Sequence, residues 1–166
     1  MAQILITCPA PPGSLYGNRV TARRWARLLR SLGHRVTITG TYAGERCDLL
    51  VALHARRSAE SVFRFAAERP AKPLVVALTG TDLYQDLRTN PDARRALELA
   101  TRLVALQPLA GAKLVPRLRP KLLVIYQSAS PTPGAPRRRR REDCLVTMED
   151  LRVWPTPGAP RRRRRD

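Results

Sequence analysis

Short, nearly unbroken apolar runs recur along the chain, with segments of helical periodicity between them. The runs are Ile4-Leu5-Ile6, Val36–Thr39, Asp48–Leu53, Pro73–Leu78, Arg102–Leu106 and Lys121–Tyr126. A strand that is apolar at consecutive positions buries both its faces, as in a parallel sheet covered by helices on either side. The intervening segments suit that role. Ala22, Trp25, Leu29 and Leu32 recur every three or four residues, and Arg23, Arg27 and Arg30 lie largely off that stripe. Thr21 is the candidate N-cap of this helix and Gly33 its stop. A second helix over Ala59–Arg69 turns Val62, Phe63 and Ala66 inward, and Pro91–Ala100 and Pro108–Val115 read as shorter ones. With right-handed crossovers, this alternation predicts an α/β domain: a Rossmann-like, doubly wound, mainly parallel sheet.

The alternation stops near Ser130. Pro-Thr-Pro-Gly-Ala-Pro followed by five Arg fills 131–141 and recurs at 155–165. Proline and glycine oppose regular structure and adjacent arginines repel one another, so a disordered tail over 131–166 is expected behind a folded domain over 1–130. The chain carries 31 Lys+Arg against 13 Asp+Glu, a net charge of +18. The tail accounts for +6 of this, so the body is basic in its own right and anionic ligands are expected partners. Nonspecific attraction of polyanions to the Arg tail follows from charge alone, whereas a single aromatic there, Trp154, gives no reading motif for nucleic acid. Cys8, Cys47 and Cys144 form neither a metal-ligand spacing nor an even disulfide set. No basic leader and no apolar run near the ~18 residues of a membrane span are evident, and a cytoplasmic protein without a bound metal is expected.

In an open parallel sheet, ligands gather beyond the carboxyl ends of the strands. The polar residues that follow the runs here are Gly13–Asn18, His54–Arg57, Thr79–Asp82, Gln107 and Gln127-Ser128. Gly17, Asn18 and Arg19 belong to a glycine-containing loop that is neither GxGxxG nor GxxxxGK[ST], yet its backbone and the next helix N-terminus suit an anion. His54 stands directly after an apolar strand, as a proton-transfer group or hydrogen-bond donor, and Arg56 or Arg57 can hold an oxyanion. In Thr79-Gly80-Thr81-Asp82 the turn can present amides, with Asp82 as acceptor, base or helix cap. Gly80, Thr81 and Asp82 therefore stay candidates beside a purely structural reading.

Taken together, Pro11–Arg19, Arg19–Trp25, Leu53–Ser58, Leu78–Tyr84, Leu106–Pro108 and Val124–Ala129 resemble the N-terminal domain of a GT-B glycosyltransferase of the family-4-like group. The likeness covers about residues 3–129 and is greatest to the selenosugar synthases of selenoneine biosynthesis. The resemblance implies one of two Rossmann-like domains, the one that receives the acceptor, facing a second that holds a nucleotide-sugar donor. It implies transfer from a UDP-N-acetylhexosamine to selenophosphate, with no cofactor or metal. Arg19, Arg56 and Arg57 would then hold the small anionic acceptor, with Gly17, Asn18, Gly80 and Thr81 around it and His54 and Asp82 as catalytic candidates. Where that family's donor domain would begin, the Pro/Arg repeats begin instead, so a truncated or partner-dependent member, inactive alone, is expected.

Two other readings stand beside this one: a non-enzymatic anion- or polyanion-binding module, and a folded but nonfunctional remnant. Deleting 131–166 should remove most polyanion binding and leave the fold intact. Binding of the full chain should fall steeply with salt, because released counterions drive it. Titration against a model polyanion at several salt concentrations checks this.

Overall fold

The computed structural model describes residues 1–127, so the boundary expected near Ser130 and the tail expected over 131–166 lie outside the described residues. All the apolar runs form strands: β1 (Gln3–Thr7), β2 (Arg35–Thr39), β3 (Leu49–Leu53), β4 (Leu74–Leu78), β5 (Arg102–Ala105) and β6 (Leu122–Val124). They pair in the order β2-β1-β3-β4-β5-β6, every pair parallel. Helix α1 (Gly17–Ser31) covers one face; α2 (Ala59–Glu68) and α4 (Pro91–Leu99) cover the other. The domain is a Rossmann-like, doubly wound α/β fold. Among the described residues, no helix is long and apolar enough to cross a membrane.

Side chains alternate across a strand, so each run feeds two cores. Leu5, Leu50, Val76 and Leu103 pack toward α2 and α4, and Ile6, Val51, Leu53 and Val104 pack toward α1. All eight are at most 5% exposed. This burial on both faces is why the runs lack the polar alternation of a half-exposed strand.

The helices depart from expectation in detail. Helix α1 begins at Gly17, a full turn before Thr21, with Tyr16 at the N-cap position and no side-chain cap. Thr21 lies inside the helix, buried, and its hydroxyl accepts a 2.8 Å hydrogen bond from Gln127 Nε2. Ala22 and Ala26 are the fully buried members of the stripe, Trp25 and Leu29 pack part-buried against the same core as expected, and Leu32 is 71% exposed. Gly33 does end the helix, at φ +84°, a conformation that favours glycine.

In α2 the fully buried ring is Phe65; Phe63 is only part-buried, beneath the Arg95 guanidinium. Asn90 Oδ1 caps α4 by accepting from the Ala93 N–H at 2.8 Å. The helix expected over Pro108–Val115 is a 3-10 segment, Pro108–Lys113, and a second 3-10 segment, Pro116–Lys121, follows it. A proline at the start of each fits the turn, and Pro120 lacks the N–H that a longer helix would use. After β4 the chain forms a π-helical turn, Asp82–Asp86, that runs into one α-turn, α3 (Leu87–Thr89).

Phe65 meets the Tyr42 ring edge-on, centroids 5.3 Å apart, and both rings are buried. Phe65→Ala should therefore destabilise the domain by about 3–5 kcal/mol. Leu32→Ala, at the exposed C-cap of α1, should change stability by no more than about 0.5 kcal/mol. Chemical denaturation of the two variants measures the contrast.

Candidate functional site

Strand β1 leads to an edge strand on one side, and its other neighbour is β3, so the sheet order reverses between β1 and β3. Connections leaving those two carboxyl ends diverge and open a crevice between them, where open α/β sheets bind their ligands. The loop after β1 with the start of α1 forms one bank. His54–Ser58, directly after β3, forms the other, and Thr79–Asp86 follows from the neighbouring β4.

His54 extends the ladder by one bond, its N–H donating to Ala77 O at 2.9 Å, then turns at φ +74°. It is the non-glycine residue with positive φ among those described. A left-handed non-glycine residue costs about 1–3 kcal/mol and persists only where its surroundings enforce it. Here they do. Ser58 Oγ donates to Leu53 O at 2.7 Å, the Ser58 N–H donates to His54 O, and the Asp82 carboxylate holds the next residue.

Asp82 is fully buried. Its Oδ2 accepts from the Ala55 N–H at 2.9 Å, and its Oδ1 accepts from the N–H groups of Thr79, Gly80 and Leu83 at 2.9, 2.9 and 3.0 Å. Gly80, at φ +122°, supplies the backbone angle that turns two of those amides inward. Four N–H donors compensate the desolvation of the charge and fasten the β3 loop to the β4 loop. This is a clamp. With both oxygens engaged by backbone N–H groups, Asp82 holds the two loops together.

The imidazole of His54 is 2% exposed. Its Nδ1 accepts from the Arg57 N–H at 3.3 Å, which leaves the proton of the neutral ring on Nε2, 3.2 Å from Thr81 Oγ1. Burial pushes its pKa below the usual histidine value; the nearby Asp82 charge opposes this and Arg57 adds to it. Asp86 Oδ2 lies 3.8 Å from Nε2 and 3.1 Å from Arg56 Nε. That oxygen is shielded from solvent without a well-formed hydrogen bond, so Asp86 and Arg56 meet as an ion pair beside the ring. The arrangement makes His54 a hydrogen-bond donor through Nε2, with Nδ1 already engaged.

The structure thus brings together His54, Arg56, Thr81, Asp82 and, through the clamp, Gly80. Arg57 joins by its backbone, with its side chain exposed. Gly17, Asn18 and Arg19 occupy the first turn of α1 rather than a loop. None of the described hydrogen bonds or ion pairs links them to the His54 group. Gly17 has helical backbone with open space around it, whereas Gly13, at φ +84°, makes the turn before it. The first turn of α1 carries no acidic residue, so its free N–H groups and Arg19 favour an anion. Asp86 had no signal in the sequence, since the π-helical turn that aims it at His54 has no apolar period of its own.

Cys8 and Cys47 are both buried and free. Among the described residues, no three His, Cys, Asp or Glu side chains gather where they could hold a metal ion. In comparisons with known proteins, no family model matches the chain and no curated protein matches it.

A lowered histidine pKa means that the unfolded chain binds the proton first. The neutral-ring contribution of His54 is therefore complete above the ordinary histidine pKa and declines as pH falls toward the lower folded value. His54→Asn, which tolerates the left-handed backbone, should flatten the loss of stability between about pH 7 and pH 5 relative to the native chain. Denaturation midpoints measured across that range for both proteins check the difference.

Proposed function

We propose that residues 1–127 form the acceptor-side domain of a nucleotide-sugar glycosyltransferase, with an anionic group of the acceptor held at the β1/β3 crevice. The observation that carries this reading is the buried, neutral His54, held in a left-handed conformation with its Nε2–H beside Thr81 and its ion-paired neighbour Arg56 at the rim. Strain of this kind collects at functional sites, where it fixes a group in advance. The order of the motifs along the sequence supplies the chemical class.

In this reading Arg56, Arg57 and the start of α1 neutralise the acceptor, and His54 Nε2–H acts through Thr81, whose hydroxyl it orients toward the acceptor. An acceptor that is already anionic needs no base, which suits an imidazole whose Nδ1 is occupied. Asp82 keeps the two loops in register, and Asp86 holds Arg56. The donor would be a UDP-N-acetylhexosamine, and selenophosphate is the acceptor suggested by the family likeness. Holding donor and acceptor together lowers such a barrier by about 7–11 kcal/mol, so transfer requires that both reactants have a site.

Phosphate, thiophosphate and selenophosphate should each perturb the amide NMR signals of Gly17, Asn18, Arg19, Arg56 and Thr81. Arg56→Ala combined with Arg57→Ala should weaken binding about tenfold or more. Sugar transfer from UDP-N-acetylhexosamine should be absent from the chain alone, appear when a GT-B donor domain is supplied in trans, and be lost again in His54→Ala. Anion binding with no transfer in either arm would replace this reading with that of a non-enzymatic anion-binding module.

A further inference from the structure

Every connection between successive strands carries a helical segment except the one from β2 to β3, residues 40–48. A parallel crossover is usually helical, and without its helix part of the sheet stays uncovered. Alternation puts Gln3 and Leu5 of β1 on one face with their register partners, Arg35 and Thr37 of β2. On that face Tyr42 and Cys47, from the connecting loop, join Leu5 in the core. Gln3, Arg35 and Thr37 remain exposed. The bare face has left its mark on β2, where polar and apolar residues alternate as Arg35-Val36-Thr37-Ile38-Thr39.

Two recesses occupy this end of the sheet. One, of about 310 Å³, runs over Gln3, Leu5, Arg35 and Thr37 and is closed by Glu45, Arg46 and Cys47. The other, of about 320 Å³, shares Gln3, Arg46 and Cys47 with it and adds Asp48, Arg69 and Lys72. Four cations therefore face two carboxylates, and both carboxylates are engaged. Asp48 Oδ1 pairs with Lys72 Nζ at 3.0 Å, and its Oδ2 accepts from the Gln3 N–H at 2.9 Å. Glu45 Oε2 accepts from the Ala43 N–H at 2.7 Å. Arg35 and Arg46 enter none of the ion pairs among the described residues. Guanidinium groups gathered without acidic partners repel one another, and their planar forks match phosphate oxygens.

We propose that these recesses form a second anion site, for a ligand carrying a diphosphate group, free or esterified. The site lies at the amino ends of β1 and β2, whereas the crevice lies at carboxyl ends, so it stands independently of the acceptor-side reading. Arg46 borders both recesses and is placed between the two phosphoryl groups. Arg35 and the Thr37 hydroxyl meet one of them; Arg69 and Lys72 meet the other. Orthophosphate can engage only one of these sets. Each volume stands near the lower end of the ~300–1,000 Å³ of small-molecule sites, which leaves room for an ester group beside the diphosphate.

The test follows amide NMR signals of the full chain at about 0.15 M salt, where exposed charges are screened beyond ~8 Å. Inorganic diphosphate should shift Thr37, Arg46 and Cys47 and bind there about tenfold or more tighter than orthophosphate. Arg35→Ala combined with Arg46→Ala should abolish that advantage; both side chains are exposed, so the fold should be kept. Arg23→Ala combined with Arg27→Ala removes the same charge from the exposed side of α1 and should change the affinity by about twofold at most. Arg56→Ala combined with Arg57→Ala should leave it unchanged. ADP, tested beside inorganic diphosphate, distinguishes the source: binding as tight or tighter supports an esterified ligand, and weaker binding supports the free ion. Equal weakening by the Arg35/Arg46 and Arg23/Arg27 pairs would reduce the effect to net charge and overturn the site. So would diphosphate that binds no tighter than orthophosphate, or that leaves Thr37, Arg46 and Cys47 unmoved. Neither result bears on the anion expected at the crevice, which is read from Arg19, Arg56 and Thr81.

Discussion

The buried carboxylate of Asp82 fastens two loops that would otherwise be independent. One oxygen takes the Ala55 N–H from the β3 loop, and the other takes three N–H groups around the β4 turn. A carboxylate with no exposure is tolerable only when donors surround it, and four backbone N–H groups do so here. The left-handed turn of His54, the placement of Thr81 against its ring and the π-helical start at Asp82 all adjoin this clamp. Loosening it would free the backbone that aims every polar group on this side of the crevice.

Around the clamp, charge is arranged in layers of burial. Asp82 is fully buried, His54 nearly so, Asp86 is part-buried and Arg56 is open to solvent on the outside. Burial keeps the imidazole neutral, the Asp86 carboxylate holds Arg56 near it, and the guanidinium remains accessible. A site built in this way offers a neutral donor behind a positive rim.

Most of the fold was legible from residue pattern. Apolar runs located every strand because both faces of the sheet are covered, and Gly33 marked the end of α1 because a left-handed residue was needed there. Helix starts were less legible. The apolar stripe of α1 begins only where the helix meets the sheet, so Gly17–Val20, which extends beyond that contact, left no periodic trace. Phe63 and Phe65 lie only two residues apart on α2, and which of them is enclosed depends on how the helix is rotated against Tyr42 and the sheet.

The sequence by itself determined that the chain makes a parallel α/β sheet, that its body is basic, and that His54, Arg56 and the Thr79–Asp82 segment stand at strand ends. These are local properties: hydrophobic pattern, charge and position next to a run. Only the tertiary structure decided the strand order, which sets the reversal between β1 and β3 and hence the crevice. It also decided that Asp82 is a clamp and that Asp86 reaches Arg56 and His54. Each of those depends on residues distant in the chain meeting across the sheet, and local pattern carries no record of which loops become neighbours.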